Sequence, residues 1–107
     1  MNKLDLENLR SCPAELVLPV IADYAKLDLS FTPLKNSGST RWHASVRGKD
    51  FELVLTGFKF WDTHAEIGGG GAVDLTMHLT GLNFKHAVNE LQKALPFAFR
   101  SRRKVES

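Results

Sequence analysis

The stretch RWHASVRGKDFELVLTGFKFWD, residues 41–62, decides the fold. Apolar and polar residues alternate along it with the two-residue period of half-buried strands, and two short breaks interrupt the alternation. Residues 41–46 form one predicted strand, Arg47-Gly48-Lys49-Asp50 a turn, and residues 51–55 a second strand. Thr56-Gly57 turns the chain into a third strand over residues 58–62. Antiparallel pairing follows, since a parallel return needs a dozen residues or more. In the third strand the alternation puts Phe58 and Phe60 on one face and Lys59 and Trp61 on the other.

Upstream, residues 5–10 are a short helical candidate and residues 14–24 a second, with Pro19 breaking the latter and leaving a firmer helix over 20–25. Residues 26–31 then alternate, placing Leu27, Leu29 and Phe31 on one face of a further strand. Pro33 and the polar run from Lys35 to Ser39 end it in a loop. Downstream, Gly68 to Gly71 precede a helix beginning at Ala72, whose stripe is Ala72, Leu75, Thr76 and Leu79. After Thr80-Gly81, the series Phe84, Ala87, Val88, Leu91 and Leu95 marks an amphipathic helix with Asn83 as N-cap and Pro96 as stop. The expected body is α+β: a small antiparallel sheet with helices packed on one face. It is a single domain over residues 1–107, with its core at about 20–95 and a flexible basic tail at 100–107.

The chain's 107 residues and 43% apolar content suffice for one core, and no stretch approaches a bilayer-spanning length. The N-terminus carries Asp5 and Glu7 where a secretory signal would be basic and then apolar, so a cytoplasmic protein is expected. Cys12 is the single cysteine, which excludes an internal disulfide. No CxxC or CxxH occurs, and His43, His64, His78 and His86 form no close pair, so no metal is expected. The charge, 14 Lys and Arg against 12 Asp and Glu, is nearly balanced. Its distribution is uneven, with Arg100, Arg102, Arg103 and Lys104 crowded at the end, a cluster that attracts phosphates or stays solvated.

The glycine run resembles a phosphate cradle, but the Lys-Ser or Lys-Thr of a nucleotide-binding loop is replaced by Ala72-Val73, so no cofactor is expected. Two uses remain for it: a tight structural turn, or backbone contacts from Gly69, Gly70 and Gly71 to a nucleic-acid phosphate at a helix start. Asp62, His64, Glu66 and Asp74 flank the run without a nucleophile, and no catalysis is expected of them. Aromatics interleave with cations in the sheet: Trp42, Phe58, Phe60 and Trp61 alternate with Arg41, His43, Arg47, Lys49 and Lys59. Rings beside ammonium and guanidinium groups suit single-stranded nucleic acid, whose bases stack while its phosphates meet the cations. If Phe60 faces the core, Trp61 and Lys59 are exposed together as a stacking platform; the other possibility is a Trp61 buried as a core anchor.

Phe60-Trp61-Asp62 followed by IGGGGAVDLTMHLTGLNFKHAVNEL (residues 67–91) resembles the second half of the CHC2-type zinc-binding domain at the N-terminus of bacterial and phage DNA primases, and related domains of plasmid and mobile-element proteins. The matching parts are Gly69-Gly70, Ala72-Val73-Asp74-Leu75, Gly81-Leu82-Asn83-Phe84 and Ala87-Val88, with VIADYAKLDL more loosely similar to the family's opening helix and strand. The family's ligand positions fall on Thr63 and Glu66, and near Ala44 and Arg47, none a thiolate or imidazole. The resemblance thus implies a zinc-ribbon-like sheet without zinc, in which packing through Trp42 and Trp61 replaces the metal. It also implies single-stranded DNA as a partner in replication or transfer of mobile DNA, with a primer-synthesising or other replication protein as a second partner. The alternative is a module that docks on a polymerase, primase, helicase or relaxase with little contact to DNA.

Overall fold

The computed structural model describes residues 11–32 and 38–94. Helix α1 (Ala14–Ile21) leads into a five-stranded antiparallel sheet: β1 (Tyr24–Leu27), β2 (Thr40–Val46), β3 (Lys49–Thr56), β4 (Lys59–Asp62) and β5 (Ile67–Gly70). Helices α2 (Ala72–Thr80) and α3 (Phe84–Ala94) follow. The strands lie side by side in chain order, so β1 and β5 are the edges.

The central meander follows the alternation, with tighter turns than expected. Arg47 and Gly48 alone connect β2 to β3, both with positive φ (52° and 85°). That is the two-residue hairpin geometry whose twist matches the strands. Lys49 and Asp50, expected in the turn, are therefore in β3, opposite Val46 and Ser45. Gly57 (φ 60°) and Phe58 form the next connection, which moves Phe58 out of the strand.

The start of the domain departs from expectation. The helix expected over 20–25 is instead α1, with Pro19 inside it. Proline removes one donor, the partner of the Glu15 carbonyl, but Ala14, Val17 and Leu18 are buried on one side of the helix. Burying a Val or Leu side chain stabilises by about 1.5–3 kcal/mol each, which outweighs one missing hydrogen bond. The buried core thus includes Ala14, Val17 and Leu18, ahead of the expected 20. The next strand is also displaced. It starts at Tyr24 and ends at Leu27, because Asp28 folds back to accept hydrogen bonds from the Ser30 N–H (2.9 Å) and hydroxyl (2.6 Å). Leu29, expected on a buried face, is 87% exposed.

Gly68, Gly69 and Gly70 are strand, not turn: they pair with Trp61, Phe60 and Lys59. A Cβ on Gly68 would sit 2.8 Å from the Trp61 ring and 3.0 Å from the Phe60 carbonyl, and one on Gly69 would sit 3.0 Å from the Phe60 ring. The glycines let two aromatic side chains of β4 lie against the backbone of β5. Gly71 (φ 98°) then turns the chain into α2, which closes on Gly81 in the left-handed conformation.

All three described helices cover one face of the sheet. Ala14, Val17 and Leu18 of α1, Leu75 and Leu79 of α2, and Ala87, Val88 and Leu91 of α3 meet Ala44, Val46, Leu53, Leu55 and Phe60 in one cluster. The Asn83 side chain caps α3 by accepting from the His86 N–H at 2.9 Å. Phe84, expected within the buried stripe, is half exposed, since it stands at the helix start beyond the sheet-facing residues. None of the described helices is long and apolar enough to cross a membrane. The expected helix at 5–10, most of the 35–39 loop, Leu95, Pro96 and the basic tail lie outside the described residues.

Candidate nucleic-acid interface

Because successive side chains alternate, the register determines which residues share the face opposite the helices. These are Tyr24 and Lys26 on β1, Arg41, His43 and Ser45 on β2, Asp50, Glu52 and Val54 on β3, Lys59 and Trp61 on β4, and Gly68 and Gly70 on β5. The face divides into two halves of different chemistry.

The half over β1 to β3 is a polar network centred on Arg41. The Arg41 Nε–H lies 3.0 Å from Asp28 Oδ2 and 3.2 Å from Glu52 Oε2. His43 reaches Asp28 at 3.2 Å, while His64 and the Thr63 hydroxyl each reach Glu52 Oε1 at 3.2 Å. The Arg41 guanidinium also stacks over Phe31, 5.1 Å from the ring centroid. Hydrogen bonds from the Ser30 hydroxyl and N–H, with His43 and Arg41 adding to them, hold the Asp28 carboxyl well below the ordinary carboxylate range. A shallow pocket of about 280 Å³ opens here, lined by Tyr24, His43, Ser45, Asp50, Glu52 and His64 among others.

The half over β4 and β5 carries Trp61 and Lys59 on a floor of glycine. Trp61 is 46% exposed on this face, so it is not a core anchor. Phe58, in the turn, is 44% exposed and leans over Gly70, where a Cβ would lie 3.4 Å from its ring. Lys59 lies beside Phe58 at Gly70 and makes no ion pair with any described residue. Facing them from β3 are Val54 and Thr56, opposite Trp61 and Lys59, which carry no charge.

The residues singled out from the sequence are therefore not one cluster. Lys59 and Trp61 come together. Arg41 shares their face but is held by two carboxylates. Trp42 lies on the opposite face, half buried against the core, and its indole N–H donates to the Thr40 hydroxyl at 2.9 Å. Trp42 and Trp61 thus do not pack together in place of a metal. Arg47 and Lys49 are exposed at the β2–β3 hairpin, at the other end of the sheet from Lys59. The N–H of Gly71 donates to the Phe58 carbonyl at 2.8 Å, and that of Gly70 points at Asp74 Oδ2 at 3.4 Å. Gly69 stands opposite Phe60 in the β4–β5 ladder, so all three expected phosphate donors are already engaged within the fold. Arg100, Arg102, Arg103 and Lys104 lie outside the described residues.

Sequence reasoning missed two arrangements. The Arg41 network depends on Asp28 and Glu52 standing on neighbouring strands, which no local pattern reveals. The second is Asp62, which is 3% exposed on the helix side of β4. Its Oδ1 accepts the N–H groups of His64 and Ala65, both at 3.0 Å, and its Oδ2 meets His78 Nε2 at 2.6 Å. Burial raises the Asp62 carboxyl, but the Ala65 N–H, His78 and the His64 N–H together bring it below its ordinary value. The His78 ring packs against Phe51 and Phe60, with centroids 5.8 and 5.3 Å away. Asp62 thereby ties the β4–β5 turn to α2 at the corner holding Thr63 and Glu66. Among the described residues no group of three or more His, Cys, Asp or Glu side chains could hold a metal ion.

No family model and no solved structure matches the chain. A stretch of 41 residues, 38% of the chain, is 46% identical to the "65 kDa protein" of Zymomonas mobilis subsp. mobilis. The match covers about 7% of that protein's length, and its name gives a mass without an activity.

Proposed function

We propose that this domain binds single-stranded DNA without catalysing a reaction, as an accessory module in the replication or transfer of plasmid or mobile-element DNA, working in the cytoplasm alongside a replication or primer-synthesising protein. What chiefly supports this is the half-exposed Trp61 on the helix-free face, with Lys59 beside it and in no ion pair among the described residues. Base stacking on such a ring contributes about 1–3 kcal/mol and tolerates any sequence, while the ammonium group meets a phosphate. The primase-like run over residues 67–91 gives the replication context. For catalysis the Asp62–His78 pair lacks a partner: among the described residues no hydroxyl or thiol is bonded to His78.

The test is fluorescence polarisation of a labelled single-stranded oligonucleotide and its duplex across a salt series. Micromolar or tighter single-strand binding that quenches tryptophan and weakens with salt is expected, with a loss of tenfold or more in the folded Trp61→Ala/Lys59→Ala double variant (about 1–3 kcal/mol for the stacked base alone). Absence of binding at low salt would sink this proposal and shift the assignment to protein docking. The exposed edge of β5, with Ile67 half exposed at its start, would then be the place to look.

A further inference from the structure

We infer that Phe58 is a second base-stacking residue, and that the bound strand runs along β4 and β5 over the glycine floor, not across the sheet toward β1. This rests on the proposed single-strand binding and assigns its path. Position is the first argument. The site where Gly68 would carry a Cβ lies 2.8 Å from the Trp61 ring, and the corresponding site at Gly70 lies 3.4 and 3.5 Å from Phe58 ring atoms and 3.8 Å from Lys59 Cγ. Trp61 and Phe58 thus rest over the two glycines of β5 that share the helix-free face. Those glycines are two residues apart, about 7 Å along a strand.

That spacing is about twice the ~3.4 Å step between stacked bases in one strand of a duplex. Two neighbouring bases lying on these two rings are therefore drawn apart from each other, which an extended single strand can accept and a closed duplex cannot. Lys59, between the rings in sequence and on the same face, is positioned to meet the phosphate linking those bases.

Charge is the second argument. The other half of the face presents Asp28, Asp50 and Glu52 against Arg41 and Lys26, and its arginine is already held by Asp28 and Glu52. A phosphate backbone crossing toward β1 would meet that carboxylate density. Among the described residues the β4–β5 half carries no carboxylate on the helix-free face. Asp74 and Glu66, both exposed, stand at the outer edge of β5 and at the β4–β5 turn. They flank the trough and bias the backbone toward Lys59 and away from the open edge.

The experiment compares Phe58→Leu, Phe58→Trp, Trp61→Ala and wild type for binding of oligothymidylates of two to twelve nucleotides, with circular dichroism confirming the fold. Leucine keeps apolar bulk in the turn and removes the ring. Phe58→Leu is expected to weaken binding by roughly tenfold, about one stacked base, and Phe58→Trp to bind as tightly as wild type or better. A wild-type preference for two nucleotides over a single one should disappear in Phe58→Leu. If Trp61→Ala loses binding while folded Phe58→Leu binds like wild type, the strand takes another path. The inference then fails and single-strand binding stands. If wild type binds no oligothymidylate at low salt, both fall.

Discussion

Asp62 shows at a single residue how one carboxylate can join three elements of a fold. Its two oxygens satisfy two backbone donors of a four-residue turn and one histidine of α2, so sheet, turn and helix meet on one side chain. A carboxyl whose folded pKa lies below its unfolded value of about 3.9 contributes stability that is present above that pH. That contribution is lost as pH falls through the folded value. Asp62→Ala, which strands the His64 and Ala65 N–H groups, is expected to cost about 2 kcal/mol or more at pH 7. Urea unfolding of wild type and variant at stepped pH provides the check. The gap between them should hold from pH 7 to about 5 and narrow below pH 4. A gap that stays constant down to pH 2.5 would mean that the carboxylate's charge contributes nothing. Asp28 is also depressed, but it is present in both proteins and drops out of the difference.

At the scale of the element, β5 is informative because its sequence reads as a loop and its structure is a strand. Glycine-rich segments have low strand propensity, so a pattern built on side chains assigns them to turns. What makes Ile67–Gly70 a strand is β4: two aromatic rings need a neighbouring backbone without Cβ atoms. The two face-sharing glycines are expected to differ. Gly68→Ala places a methyl 2.8 Å from an indole ring and 3.0 Å from a carbonyl, and should lower stability by about 1–3 kcal/mol. Gly70→Ala meets only ordinary contacts at 3.4 Å or more and should be close to neutral. Thermal melts of the two variants decide it, and equal losses would show that β5 excludes side chains for some reason other than ring contact. The same dependence on tertiary context explains what was and was not legible. The strands from Thr40 to Asp62 and helices α2 and α3 follow their own periodicity and caps. Helix α1 runs through Pro19, and β1 stops short at Asp28, because burial and a side-chain turn outweigh local rules.

Among the described residues, the helix-free face divides into a network of Arg41 with Asp28 and Glu52 and a strip of Trp61 and Lys59 without an ion pair, and it is this division that the sequence hid. Alternation alone placed Lys59 with Trp61 on one face, and that much of the candidate site was legible. It could not reveal that Arg41 is held between Asp28 and Glu52, because those partners lie 13 and 11 residues away on either side in the chain, and only the register brings them together. Arg41, Arg47, Lys49 and Lys59 therefore look equivalent in composition and are not equivalent in the fold. Single-strand binding falls with salt by about 0.7 in log–log slope for each phosphate neutralised. Lys59→Ala should reduce that slope by about this amount. Arg41→Ala should leave the slope nearly unchanged, since its charge is already committed to carboxylates. It should instead lower stability by about 1 kcal/mol, as expected for a half-exposed network. Affinities measured between 25 and 300 mM salt, alongside urea midpoints for both variants, separate the two roles. Were Arg41→Ala to flatten the salt dependence as much as Lys59→Ala, the network would have to open on binding. Asp28 and Glu52 would then act as internal competitors for the phosphate, and the whole sheet face would form the site.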